Sequence, residues 1–395
     1  MFRAQLGTSR HRVRAVALST GAVGGAIALS LSLAPVSGAA TSAVVAKKSS
    51  VPSLSTLENT LKGLENPPSS SVTLTENGSS LFTPLFEAWA AQPPFSSITI
   101  EPTISSSGTG VGDAISGTTN IGASDPYLPP ADTSVINIPI VVGAQQVNYN
   151  IPGLKAGTHL RLSGTVLSDI YSGSITNWDS PQITKINPGT KIPSVQIVTI
   201  HRLDSSGDTF NFLTYLADSD PTGFVANVGG PQNSIQWPST PGSLAASKNG
   251  GMLQTLQNTP GGIAYIGVSY LRQAIAANLG YALLENGHGK YVGPTVVNIN
   301  DEVAGYTAIA QNGAMSLIFS KAKAATFGYP DVNFEYAIVK PSQSSSTTAQ
   351  AIQTFLAWAM NPAQGSAPSF LTPLYFVALP PRVLQVAIAL LKTVN

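Results

Sequence analysis

The sequence predicts an α/β protein, and the order of its segments is the main evidence. Strand-like runs such as 71–75 and 97–102 alternate with polar loops and helical runs over most of the chain. This alternation is typical of α/β folds. The chain has 395 residues, 43% of them hydrophobic, so it is long enough for two domains around a large buried core.

The predicted elements repeat a unit of strand, Ser/Gly-rich loop and helix. SVTLT (71–75) precedes the helical LFTPLFEAWAA, SITIEP (97–102) precedes the short helix VGDAISG, and a third strand ends at Asp125. A long β-rich run covers 136–151, and VQIVTIHRLDSSGDTFNFLTYLA repeats the unit. Near the end, FEYAIVK predicts a strand, and AQAIQTFLAWAM and VLQVAIALLKTV predict amphipathic helices.

Composition excludes several classes of site. The chain has no Cys, which rules out disulfides, thiol catalysis, zinc–thiolate sites and lipid attachment through an N-terminal Cys. Its four His are not spaced as a metal cluster, so we expect neither a metal nor a cofactor. Charged residues make up 10%, against roughly 25% in an average soluble protein, and such a surface fits a location outside the cytoplasm.

The first 40 residues have the pattern of an export signal. Four Arg precede the apolar stretch 15–35, and small residues at 37–40 offer a cleavage site. About 20 apolar residues would also suit an uncleaved membrane anchor. Residues 41–71 are predicted to be a Ser- and Pro-rich linker with one short helical patch near 57–64.

Three loops place Ser, Thr or Gly just before a predicted helix, at 78–81, 105–110 and 204–209. A helix N-terminus has unpaired N–H groups and a positive partial charge, so it can hold an anion. Ser and Thr are also ordinary helix caps, and any one loop alone is explained by capping. The three loops indicate an anion site only if they converge in space.

Two charged residues stand beside these loops. Arg202 ends an apolar strand just before the third loop, and its guanidinium can bind an oxyanion with two hydrogen bonds. An ordinary surface pair with Asp204 is the alternative. Asp125 ends the strand NIGASD, where a turn or cap role is the alternative.

Long segments of the chain resemble the phosphate-binding proteins of bacterial phosphate ABC transporters. The three ligand segments are VTLTENGSSLFTPLFEAW, ISSSGTGVGDAISGTTNIGASD and HRLDSSGDTFNFLTYLA. NIPGL (150–154), the run 167–193, IQWP (235–238) and NTPGGIAYIG (258–267) agree as well. The resemblance covers roughly residues 72–395 in the same order.

The resemblance implies a set of phosphate ligands. It assigns a hydroxyl to Ser80, a backbone N–H to Leu81, both donor types to Ser107, and the acceptor of the phosphate proton to Asp125. Arg202 matches the family's site Arg, and the last three matching positions are donors at a helix start: Ser206, Gly207 and Asp208. Ser80 and Asp208 stand where Thr is frequent and Ser205 where Gly is frequent. An ionised Asp208 would repel phosphate, so we expect only its N–H to contribute.

The resemblance also implies the architecture, which is a two-lobe periplasmic-binding-protein fold of the type II kind with a two-strand hinge. We expect lobe I at 72–144 plus 291–395 and lobe II at 145–290, closing around the ligand. The expected partners are inorganic phosphate and the membrane permease of a phosphate ABC transporter. We expect a monomer, no nucleic acid, and a periplasmic or cell-surface location.

Three other functions stay open from sequence. A receptor for another tetrahedral oxyanion, such as sulfate or molybdate, is disfavoured by the acidic Asp125. A secreted hydrolase would need a nucleophile elbow of the form G-x-S-x-G, which is absent from the sequence, so we expect no enzyme. A surface or sensing protein that binds phosphate without feeding a transporter has the same site.

Overall fold

The structure is a computed structural model that describes residues 51–128, 134–304, 310–316, 318–319 and 325–395. The predicted export signal at 1–40 and the first part of the predicted linker lie outside the described residues. Among the described residues, no helix is both long enough and apolar enough to cross a membrane.

The described helices follow the predicted helical runs with additions. In chain order they are α1 Leu54–Lys62, α2 Thr83–Ala90, α3 Ser107–Ser116, α4 Gly164–Ser172, α5 Pro181–Ile186, α6 Gly207–Ser219, α7 Phe224–Asn227, α8 Lys248–Gln257, α9 Leu271–Ala276, α10 Val296–Ala304, α11 Ser346–Met360, α12 Pro368–Leu371 and α13 Pro381–Leu391. Short 3₁₀ turns cover Val268–Tyr270 and Thr372–Leu374.

The strands alternate with these helices, so the predicted α/β class is confirmed. They are β1 Val72–Gly78, β2 Ile98–Ile104, β3 Ile121–Ser124, β4 Ile136–Tyr149, β5 Arg161–Leu162, β6 Val198–Arg202, β7 Leu244–Ala246, β8 Gly262–Gly267, β9 Gly280–Tyr281, β10 Leu283–Glu285, β11 Tyr291–Val292, β12 Val332–Val339 and β13 Val377–Ala378.

One continuous sheet has the order β2-β1-β3-β12-β4-β8-β6-β7, and β9 and β13 also pair with β4. β4 joins its two parts, because residues 136–144 pair antiparallel with β12 and residues 145–149 pair antiparallel with β8. β1 runs parallel to both β2 and β3, and β6 runs parallel to both β7 and β8. We call β1–β3 with α2 and α3 the first half, and β6–β8 with α6 and α8 the second half.

Aromatic packing fixes the helices of each half on the sheet. In the first half, Phe82, Phe86 and Trp89 form edge-to-face contacts with one another around α2. In the second half, Phe212 of α6 stacks on Tyr265 of β8 with ring centroids 4.6 Å apart. All five rings are fully buried, so both helix starts rest on rigid supports.

The helical patch predicted near 57–64 within the linker is present, and it packs on the core, which the sequence did not predict. Residues Leu54–Lys62 form α1, which begins at the capping hydroxyl of Ser53. Leu57 and Leu61 lie one turn apart on the same face and are buried in the main hydrophobic core. The Ser and Pro content around the helix concealed this apolar stripe, which has the spacing of an amphipathic helix.

Candidate functional site

The three loops singled out in the sequence begin where strands end. β1, β2 and β3 are parallel neighbours, so their carboxyl ends lie at one edge of the sheet. That edge carries Ser79 and Ser80 before α2, Ser107 at the start of α3, and Asp125 after β3. The third loop follows β6 in the second half and leads into α6.

Asp125 is held by two serine hydroxyls of the first half. The hydroxyl of Ser79 donates to its Oδ1, and the hydroxyl of Ser107 donates to its Oδ2 at 3.2 Å. Asp125 is 1% exposed, and burial, followed by the charge of Asp208, raises its pKa to about 7. The structure therefore brings Ser107 and Asp125 together.

A glycine contact sets the distance between α3 and the sheet. Gly110 lies so close to β1 that a Cβ there would be 2.4 Å from the carbonyl oxygen of Asn77. Only a residue without a side chain permits this approach. It allows Ser107, one turn earlier, to reach Asp125.

Ser80 and Leu81 lie beside the start of α8. The backbone N–H and the side-chain Nδ2 of Asn249 both donate to the Ser80 hydroxyl oxygen, at 2.9 and 3.0 Å. The Ser80 proton is left available as a donor. The N–H of Leu81, predicted to contact a ligand, donates to the Ser79 hydroxyl at 3.1 Å in this structure.

Arg202 is buried rather than on the surface, with 4% of the residue exposed. Its Nε and Nη2 donate to the two carboxylate oxygens of Asp204 at 2.7 and 2.5 Å, and its Nη1 donates to Oδ2 of Asp208. Although burial opposes it, the hydrogen bond to Asp204 and the charge of Asp208 raise the pKa of Arg202. The guanidinium is therefore charged at every accessible pH.

The backbone of Arg202 is fixed by the aromatic support beneath it. Its N–H donates to the Tyr265 hydroxyl at 2.9 Å, and the same hydroxyl lies 2.8 Å from Oγ1 of Thr209 in α6. Tyr265 therefore ties the end of β6 to the first turn of α6.

The start of α6 lies directly against Asp125. A Cβ on Gly207 would be 2.5 Å from Oδ2 of Asp125, so glycine is required at this approach. Two further contacts join the halves: the N–H of Gly108 donates to the carbonyl of Ser205 at 3.0 Å, and Nζ of Lys248 donates to the carbonyl of Ile104 at 2.8 Å. The predicted residues of both halves thus surround one buried site.

The carboxylate of Asp208 lies among the donors of the site. Its Oδ2 accepts from Arg202, from Nδ2 of Asn249 at 2.9 Å and from the hydroxyl of Ser206 at 3.2 Å. Burial raises the pKa of Asp208, while the charge of Arg202 opposes the rise. We call the Ser80, Ser107 and Ser206 hydroxyls, the Asn249 amide and the Arg202 guanidinium the donor cluster.

Sequence reasoning missed Ser79 and Asn249. Asn249 links three parts of the site, because it bonds Ser80 and Asp208 and its Oδ1 accepts the N–H of Gly267 at 2.8 Å. The signal was present: SKNGG (247–251) is a fourth Ser/Gly-containing start of a helix, here α8. Ser79 was passed over because its neighbour Ser80 matched the expected ligand position.

In the described part of the chain, buried acids outnumber the one buried guanidinium, that of Arg202. Besides Asp125 and Asp208, the side chains of Asp331 and Glu335 are fully buried near the site. Burial raises the pKa of both well above the usual range, and for Glu335 the charge of Asp125 adds to the rise. Burial therefore favours the neutral form of both side chains.

The comparisons with known proteins fit this geometry. The profile of the PBP superfamily domain matches residues 64–363. The phosphate-binding protein PstS of Methanocaldococcus jannaschii is 34% identical over 293 residues, which are 69% of this chain and 73% of that protein. The chain belongs to the family of PstS phosphate-binding proteins.

Other members of the PstS family and solved structures agree. The phosphate-binding protein PstS of Xylella fastidiosa is 27% identical over 80% of this chain and 84% of that protein. The phosphate-bound structure of a high-affinity periplasmic phosphate-binding protein (PfluDING) aligns with a TM-score of 0.64 at 18% identity. It covers 80% of this chain and 93% of that one. The predicted two-lobe periplasmic-binding-protein fold is confirmed.

Proposed function

We propose that this chain binds inorganic phosphate in the donor cluster and delivers it to the membrane permease of an ABC transporter. The observation that carries the proposal is the convergence of three helix starts, Arg202 and Asp125 on one buried place. Helix starts, hydroxyls and a guanidinium are the donors that replace the hydration shell of an oxyanion. Family membership makes phosphate the first candidate.

The predicted donors have different roles in binding phosphate. Arg202 supplies positive charge, and Ser80 supplies a hydroxyl donor. Ser107 and Ser206 supply hydroxyl donors once their protons leave the carboxylates of Asp125 and Asp208. Gly207 supplies an N–H at the start of α6. The N–H of Leu81 serves as a donor once it leaves the Ser79 hydroxyl. Within each half these groups are supported by packed aromatic rings, so closure of the lobes brings together donors whose local positions are already set.

Asp125 gives selectivity over sulfate. An ionised carboxylate can only accept hydrogen bonds. Phosphate keeps at least one proton near neutral pH and can donate it, whereas sulfate has none and is repelled. A site built around such a hydrogen bond rejects an analogue lacking it by about 10⁴–10⁵-fold. Arsenate carries the same protons and is not excluded by this mechanism.

The ligand enters by separation of two lobes, with lobe I at 72–144 plus 291–395 and lobe II at 145–290. The change of partner strand along β4, from β12 to β8 at residues 144 and 145, supports a hinge at that point. The donor cluster is buried, and its Arg202, Asn249 and Ser206 donors already bond the carboxylate of Asp208. Phosphate therefore requires opening.

The proposal has two further parts. The chain is exported before it binds phosphate, and it binds phosphate without converting it. Residues 1–40 serve as the export signal or anchor, and the protein acts in the periplasm or at the cell surface as a monomer. His201, the one candidate for hydrolytic chemistry in the third loop region, stacks on Trp237 with ring centroids 5.2 Å apart. That packing directs it away from a catalytic role.

Calorimetric titration of the exported chain with phosphate and with sulfate tests the proposal. We expect saturable phosphate binding and at least hundredfold weaker sulfate binding. Equal or tighter binding of sulfate or molybdate would make the site a receptor for another oxyanion. Small-angle scattering should show compaction on addition of phosphate and none on addition of sulfate.

A further inference from the structure

The carboxylate of Asp208 already occupies donors that a phosphate ion needs. Its Oδ2 accepts from Nη1 of Arg202, Nδ2 of Asn249 and the Ser206 hydroxyl, and Asp208 is 1% exposed. Because Nε and Nη2 of Arg202 are bound to Asp204, Nη1 is the part of the guanidinium that Asp208 holds. An oxyanion that approaches this arginine meets a carboxylate of the protein.

The second acceptor of the site lies on the opposite side. Asp125 faces the start of α6 through Gly207, one residue before Asp208. The charge of each aspartate disfavours ionisation of the other, and burial of both strengthens that repulsion. A phosphate bound here is therefore in contact with two carboxylates and one guanidinium.

We infer that Asp208 is a specificity-determining residue that makes phosphate binding depend on one additional proton, so that the site takes phosphate together with two protons. The inference rests on the proposed function. Each carboxylate can share only one proton with a phosphate oxygen, and a pair without a shared proton is repulsive. A Thr at position 208 would donate its own hydroxyl proton and need none.

The other groups that face Asp208 do not provide this proton dependence. Arg202 stays charged. Although burial opposes it, the hydrogen bonds from Arg202 hold the pKa of Asp204 below its usual value, so Asp204 stays ionised. Burial raises the pKa of Tyr265, and it raises the pKa of Tyr270 to about 12, so both phenols stay neutral.

Asp331 and Glu335 face Asp208 from the side of β12. Burial raises the pKa of both well above the usual range, and the charge of Asp208 contributes to each rise. Of the four buried acids Asp125, Asp208, Asp331 and Glu335, only Asp208 bonds the guanidinium of Arg202, so the proton dependence is assigned to Asp208.

Calorimetric dissociation constants for phosphate between about pH 5 and pH 9 test the inference, with the wild-type chain, Asp208→Thr and Asp204→Asn compared at each pH. Division of the wild-type Kd by the Asp208→Thr Kd at the same pH cancels the titration of phosphate itself. We expect this ratio to rise with pH, approaching about tenfold per pH unit at the alkaline end.

Asp204→Asn is the matched control, since it removes the same charge from the other side of Arg202. Asp204 is ionised throughout, but its charge raises the pKa of Asp208. The Kd ratio of Asp204→Asn to the wild type should therefore stay constant at the alkaline end, where both proteins depend on the same additional proton. A constant ratio for Asp208→Thr as well would overturn the inference. Absence of phosphate binding in all three proteins at every pH would overturn the proposed function and this inference with it.

A proton count provides a second measurement that does not depend on affinity. Titrations at about pH 8 in buffers of different ionisation enthalpy give the protons taken up with each phosphate. We expect the wild type to take up close to one proton more than Asp208→Thr. Asp208→Asn keeps the shape of the side chain and should match Asp208→Thr, and equal proton counts for the wild type and both variants would refute the coupling.

Discussion

The two halves of the site handle charge in different ways. In the first half, a single carboxylate, Asp125, is bonded by the hydroxyls of Ser79 and Ser107. In the second half, the guanidinium of Arg202 is bonded by Asp204 and Asp208. The first half therefore detects whether the ligand carries a proton. The second half attracts the anion through the positive charge of Arg202, which Asp204 and Asp208 largely neutralise.

The comparison explains how an anion site can contain more acids than bases. Buried donors that need no net charge, such as hydroxyls and helix N–H groups, can solvate an oxyanion by geometry alone. The acids then select among anions rather than attract them. Variants in the second half should change mainly the affinity for phosphate, and variants in the first half should change mainly the preference for phosphate over sulfate.

The largest effect is expected for Arg202→Ala, which removes the attraction. Phosphate affinity should fall about a thousandfold, because the variant leaves Asp204 and Asp208 as buried charges without a cation. The free energy of unfolding should also fall by about 3–5 kcal/mol for the same reason. Calorimetry and denaturant titration measure the two quantities.

Arg272→Ala is the control, since Arg272 is exposed on α9. It should leave both quantities within error of the wild type. Phosphate binding by Arg202→Ala at close to wild-type affinity would show that the helix starts alone provide the attraction, and the comparison of the halves would fail.

The next effect concerns selection and is expected for Asp125→Asn. Phosphate affinity should fall only about tenfold, since the amide keeps one acceptor oxygen. The preference for phosphate over sulfate should fall by about a hundredfold or more, because the amide no longer repels a ligand without protons. Paired titrations with both anions measure the change, and Asp179→Asn on the surface is the control. Unchanged selectivity would remove Asp125 from the role assigned to it.

A smaller effect is expected for Gly207→Ala, which tests the contact between the halves. The added methyl would be 2.5 Å from Oδ2 of Asp125, so α6 or Asp125 must shift. We expect about 2 kcal/mol of overpacking, which corresponds to roughly thirtyfold weaker phosphate binding. Gly112→Ala in α3 is the matched control, because a Cβ there meets nothing within 4 Å. Equal behaviour of both variants would show that the halves do not meet at Gly207 in the bound state.

The smallest effect is expected for Ser107→Ala. Loss of its hydrogen bond to Asp125 should cost about 1 kcal/mol and weaken phosphate binding roughly fivefold. The variant should also raise the pKa of Asp125 further, since a donor to the charged form is lost. Binding measured against pH would show this as a shift of the titration to higher pH. Ser116→Ala, at an exposed position near the end of α3, should change neither quantity.

Sequence patterns identified most strands and helices because their apolar periodicity is local. The run 136–151 predicted a long strand, and β4 covers Ile136–Tyr149. The helix α1 was not predicted to pack, because its partners α11 and α13 begin roughly 290 and 330 residues later in the chain. Position in sequence gives no sign of such a contact.

The residues of the site, like the elements of the fold, could be predicted only in part. The residues at three helix starts, with Arg202 and Asp125, could be named from sequence because each stands at a recognisable junction of strand and helix. Asn249 stands at an equivalent junction, but its importance comes from bonds to Ser80 and Asp208, which are 169 and 41 residues away.

The α/β class, the family and the donors available to an anion could be predicted from local patterns and residue types. The role of the Asp208 carboxylate depends on contacts between distant parts of the chain. Sequence predicted that only the N–H of Asp208 would contribute to phosphate binding, and the fold places its carboxylate on the guanidinium of Arg202. The reason is physical: a buried carboxylate must find a cation or a donor, and the closure of α6 against β6 and α8 leaves Arg202, Asn249 and Ser206 as its partners.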